Sequence, residues 1–183
     1  MHGSGPPRCT RVWRMENRVS PGTGAFPVGM SEGGFRGSSG GSVGCMCVSL
    51  QETEEMAAVV AWLESQEAAP VELSLAFAEL GLEDLHGNYT DAALPHGDAF
   101  LLAAGLAAVV ARAKKNAGAV ELQQWGGRGT RELRSDVPRI VQLATAMKYF
   151  ALDPEEHRVA RRFDEDALAG LADQAETLRG QLD

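Results

Sequence analysis

The chain has 183 residues, a net charge of −8 and 44% hydrophobic residues, which suits one ordinary globular domain and is too little for two. The acidic balance argues against a general binder of nucleic acid or anionic membrane, and the longest uncharged apolar run, residues 99–111, is short of the about 20 residues that cross a bilayer. Its three cysteines, Cys9, Cys45 and Cys47, are odd in number with none beyond, the usage of a reducing, cytoplasmic compartment rather than of a disulfide scaffold.

Of the first 44 residues, 11 are Gly, 4 Pro and 6 Ser. Such a stretch buries too little apolar surface to offset the entropy of ordering it. Residues 1–45 are therefore predicted to be a disordered tail, and 46–183 a single globular domain ending in a long helix. The tail holds Arg8, Arg11, Arg14 and Arg18 without an apolar core, so it is no secretory signal, and its Gly and Pro disfavour an amphipathic transit helix. Charge is segregated. Residues 51–111 hold 11 acids and no Lys or Arg, whereas residues 112–162 hold 11 basic and 6 acidic residues. Folding is expected to set the acidic half against the basic middle; the alternative is a dipolar surface that steers partners.

In chain order, Val48 and Leu50 suggest a short strand. Ser49 followed by Glu52 forms a capping-box pattern opening a helix over 51–66, with Met56, Val59, Val60 and Leu63 at helical spacing. Val71, Leu73, Leu75 and Phe77 alternate, which predicts a half-buried strand. A helix between Pro70 and Gly81 is the competitor. Residues 86–97 read as a loop, and Asp98 as the cap of a long, centrally buried helix through Asn116. Residues 120–125 and 130–134 predict a hairpin joined by a four-residue glycine turn, Gly126-Gly127-Arg128-Gly129. Ser135 or Asp136, then Pro138, opens a helix with Ile140, Val141, Leu143, Ala144, Met147, Phe150 and Ala151 as its apolar stripe. Asp153-Pro154-Glu155-Glu156 is expected to open the last helix, where Leu168, Leu171, Ala175, Leu178 and Leu182 form a two-heptad seam for packing back or for dimerisation.

The expected fold is helix-rich α+β: a small sheet of two short strands plus a hairpin, covered by a buried central helix and two C-terminal helices. An all-α arrangement is the alternative. On element order alone, residues 48–151 resemble the effector-associated constant components found beside bacterial conflict-system effectors.

No catalytic constellation is present. There is no Gly-x-Ser-x-Gly elbow, and the glycine turn lacks the Gly-Lys-Ser/Thr of a phosphate loop. His86, Asp91, His96 and Asp98 match no metal-ligand spacing, so neither metal nor cofactor is expected; a small enzyme or metal protein using that loop is the third reading. The second is a nucleic-acid-binding domain whose hairpin lays Arg128, Arg131 and Arg134 along phosphates while Trp125 stacks. The first is a non-catalytic protein-interaction or regulatory module with a protein partner or self-association, no membrane, and Arg128, Arg131, Arg134, Trp125, Leu171 and Leu178 as candidate contacts.

Overall fold

Thr53, not Ser49, starts the first long helix in the computed structural model, which describes residues 48–83 and 93–183. Ser49 caps only a 3-10 turn, Leu50–Glu52, so the strand expected around Val48 does not form. The Thr53 hydroxyl accepts from the Met56 N–H at 3.2 Å and donates to the Leu50 carbonyl at 2.8 Å. It thereby joins that turn to helix α1 (Glu54–Ser65), with Glu54 and Glu55 favourably placed in the first turn.

The alternating segment after Pro70 is the main departure from the sequence reading. Strand β1 is only Val71–Glu72, and helix α2 takes Leu73–Leu80. Leu73, Ala76, Phe77 and Leu80 are the buried positions, an i, i+3, i+4, i+7 face hidden within the apparent alternation. Gly81 ends α2 in the left-handed region with φ 79°, and the Leu82 N–H reaches back to the Phe77 carbonyl at 2.7 Å. That closure is what favours helix over strand. Of the expected loop, residues 86–92 lie outside those described. The remainder contains a minimal antiparallel pair, β2 (Ala93–Leu94) with β3 (Gly97–Asp98).

Asp98 caps the central helix α3 (Ala99–Lys115) as expected, accepting from the Phe100 and Leu101 N–H groups at 3.0 and 3.3 Å. Strands β4 (Ala119–Glu121) and β5 (Thr130–Arg134) pair antiparallel, with Val120 opposite Arg131. β1 adds in parallel on the other side, Val71 beside Leu133, giving the order β1-β5-β4. The hairpin connection is longer than a glycine turn, because Leu122–Trp125 coil into a 3-10 turn that buries Leu122. Helix α4 (Val137–Leu152) follows, with Pro138 in its first turn. The acidic Pro154 segment gives only 3-10 turns, Pro154–Glu156 and Arg158–Arg162. The last helix, α5 (Glu165–Leu182), is capped instead by the Asp164 carboxylate on the Ala167 N–H at 2.8 Å.

The result is a helix-rich α+β fold with α3 at its centre, packed on by α1, α4 and α5. Phe100 of α3 and Phe150 of α4 stack at 3.6 Å between centroids, and His157 meets the Phe150 ring edge-on at 5.0 Å. The α5 seam packs back: Leu168, Leu171, Ala175 and Leu182 are buried and Leu178 partly so. Gln174 clamps the segment before α1 to α5, accepting from Leu50 N–H at 3.1 Å and donating to the Val48 carbonyl at 3.0 Å.

Candidate partner-binding surface

Folding engages two of the three hairpin arginines. Arg131 lies across the end of α1, donating to the Leu63 carbonyl at 2.9 Å and the Glu64 carbonyl at 2.8 Å. The Leu63 carbonyl also accepts the Gln66 N–H at 3.3 Å, so the guanidinium adds a second donor there, supplies the Glu64 carbonyl at the helix end, and complements the helix dipole. Arg134 pairs with Glu72 across the parallel β1–β5 register at 3.0 Å. Arg131 and Arg134 also stand three residues apart on one strand, so they face opposite sides of the sheet. Arg128 is exposed, and it is the backbone N–H of this residue that meets Glu64. Trp125 is half-buried against the core in its 3-10 turn. The hairpin therefore brings these four residues into one segment without making them one face.

Leu171 is 1% exposed and belongs to the core, while Leu178 is partly covered. For the loop at 86–98, His86 and Asp91 lie outside the described residues. His96 is exposed at the β2–β3 turn, and Asp98 is engaged at the α3 cap. Among the described residues no group of carboxylates, imidazoles and thiols converges to hold a metal ion, and no helix is long and apolar enough to cross a membrane.

The surface that the sequence reading missed is the outer side of α4. Leu143, Ala146, Met147 and Phe150 face the core. On the other side Val137 is 71% exposed, Val141 58%, Tyr149 51% and Leu152 63%. At 100° per residue these four, with Thr145 and Lys148 between them, span one helical stripe of about 120°. The periodicity of α4 places Val141 in the core stripe, and the structure turns it outward. Scattered single apolar residues are normal on a protein surface, but four large ones aligned on one helix are not. The signal was present in the sequence: α4 is apolar at the positions opposite its i, i+3, i+4, i+7 face as well as on it.

The second missed feature is an ion pair between a buried carboxylate and a partly exposed arginine. Glu55, 2% exposed, accepts from Arg162 and, at 3.0 Å, from the Asp98 N–H. Burial pushes the Glu55 carboxyl up, but the Arg162 and Asp98 hydrogen bonds and the Arg162 charge outweigh it and hold the group below the usual range. Burial, with the Glu55 charge nearby, raises Asp98 against its two backbone donors.

Comparison with known proteins supplies one match. No curated protein and no solved structure matches this chain. The model of the family described as Immunity protein 68 matches residues 49–182, which spans every described element from the 3-10 turn at Leu50 to the end of α5. This is a different family from the one that the element order resembled. With most of its length inside that match, the chain belongs to the Immunity protein 68 family.

Proposed function

We propose that this protein neutralises a protein toxin in the cytoplasm by non-catalytic binding, and that the outer face of α4 is its docking surface. The observation that carries the reading is the stripe of Val137, Val141, Tyr149 and Leu152, left in water on a helix whose other face is fully engaged. A rigid helix carrying two pairs of apolar anchors, each pair about one turn apart and the pairs about two turns apart, suits a groove on a partner. Tyr149 adds a large ring with a polar tip, the kind of residue that dominates interface energies. Lys148 stands within the stripe and favours an acidic rim opposite. The family's description as an immunity protein supports a toxin as the partner.

The hairpin arginines have a smaller role on this reading. Arg131 holds α1 and Arg134 holds β1, leaving Arg128 as the hairpin cation free to reach a partner's rim. The experiment is a native capture from the source organism with the full chain as bait, with and without nuclease. The captured protein is then expressed alone and together with this chain. Toxicity relieved by the wild-type chain but not by Val141→Glu/Leu152→Glu is the expected result. Relief by both refutes the α4 face. Capture that vanishes with nuclease moves the reading to nucleic acid.

A further inference from the structure

We propose that the cavity at the start of α1 is a receptor for a primary ammonium group, the side chain of a lysine on the protein partner. The cavity, about 260 Å³, is lined by Glu54, Glu55, Leu94, Gly97, Asp98, Arg158 and Arg162. Its acidic side is assembled from two elements that only the fold brings together, the first turn of α1 and the cap of α3.

Gly97 is what lets them meet. A side-chain carbon there would stand 2.6 Å from the Glu55 Cγ and 2.9 Å from its Oε1, and φ at this residue is 130°, a region that other residues rarely adopt. With Gly97 in place, the Glu55 carboxylate lies against the backbone of β3, and its Oε1 takes both the Asp98 N–H and Arg162. The other oxygen, Oε2, is buried with no hydrogen-bond partner. A buried, ionised carboxylate oxygen without a donor is costly, and the cost is recovered by any group that supplies an N–H.

The missing group is a donor rather than an acceptor. Three carboxylates, those of Glu54, Glu55 and Asp98, line the cavity against two guanidiniums, and Arg162 is already spent on Glu55. Arg158 is exposed and forms no ion pair among the described residues. With the Arg162–Glu55 pair set aside, one guanidinium stands beside two carboxylates, so the lining carries one excess negative charge, which favours an added cation over an anion. A bare metal ion is disfavoured, because the described carboxylates do not converge in ligand geometry. An ammonium on a flexible stem has three donors and passes Leu94 with an apolar body, which is the chemistry of lysine.

The inference shares with the proposed function the premise of a protein partner, but it concerns a different surface and is tested without that partner. The isotope-labelled full chain is titrated with Nα-acetyl-lysine amide, with the norleucine analogue that lacks the ammonium, and with putrescine, while the backbone signals of Gly97 and Asp98 are followed. Saturable shifts with the lysine compound, at least tenfold weaker with norleucine, are expected. Asp98→Asn keeps the α3 cap, since Asn caps as well as Asp, and should weaken lysine binding about tenfold, the size of one charge-assisted hydrogen bond. Glu55→Gln should do the same where it folds. Equal shifts with norleucine, or lysine binding unchanged in Asp98→Asn, overturn the proposal. Putrescine binding tenfold tighter than lysine overturns the partner lysine in favour of a free polyamine. Failure of the Val141→Glu/Leu152→Glu experiment leaves these titrations unaffected, so the two ideas fail separately.

Discussion

Replacing Phe150 by Ala removes the inward anchor of α4, and replacing Val141 by Ala trims its outward face. The two should behave oppositely. Phe150 is fully buried, stacked on Phe100 at 3.6 Å and met edge-on by His157. Deleting such a ring costs about 3–5 kcal/mol, transfer and residual cavity together, with about 1 kcal/mol of that from the aromatic pairing itself. Against a total stability on the order of 5–15 kcal/mol, this is a large fraction, and the melting temperature should fall by roughly 10 °C or more. Val141, 58% exposed, surrenders little burial, and Ala is the better helix former by about half a kcal/mol. The variant should stay within about 0.5 kcal/mol of wild type. Urea unfolding followed by far-ultraviolet circular dichroism measures both, with unchanged slopes showing that the same surface is exposed. A loss under about 1 kcal/mol for Phe150→Ala, or over about 1.5 kcal/mol for Val141→Ala, refutes the assignment of the two faces.

Three further outcomes follow from the packing. His157 is buried, and this lowers its pKa although Glu156 and Asp153 pull the other way. The unfolded chain therefore binds the proton first, and stability measured by urea unfolding should decline as pH falls below about 6.5; His157→Leu should flatten that decline between about pH 7 and 5.5. Arg131→Ala removes the donor on the Glu64 carbonyl and one of the two on the Leu63 carbonyl and should cost about 1–2 kcal/mol, whereas the exposed Arg128→Ala should leave the urea midpoint almost unmoved. Asp98→Ala removes the acceptor of two α3 N–H groups and should lower stability by about 1–2 kcal/mol, with Asp98→Asn close to wild type.

How far the sequence carried this structure depends on where the determinants are local. The α3 cap at Asp98, the all-round apolarity behind it and the helix after Pro138 are written in adjacent residues and appear where expected, and the β4–β5 pairing forms with its first strand cut short by the Leu122–Trp125 turn. The segment after Pro70 is different, because Leu73 and Phe77 fit a period of two and a helical face equally. Gly81 and the packing of Phe77, with Arg139 4.8 Å over its ring, decide it from outside the pattern. The last helix begins at Asp164 and not at Asp153 for a related reason: the cap signals at both are similar, and the 3-10 turns carry Arg162 to Glu55. The charge pattern predicts only a balance of halves, and which arginine meets which acceptor depends on chain crossings that no local pattern records. For the same reason Arg131 read as a free cation and Val141 as core.

The most direct test of the central claim measures the affinity of the captured toxin for three full-chain proteins: wild type, Val141→Glu/Leu152→Glu, and Arg128→Glu. The account predicts that the double variant folds normally and binds at least a hundredfold more weakly, as two apolar anchors turned into buried, unpaired charges imply, while Arg128→Glu shifts affinity by less than about tenfold, as for a rim charge. A double variant that binds like wild type contradicts it.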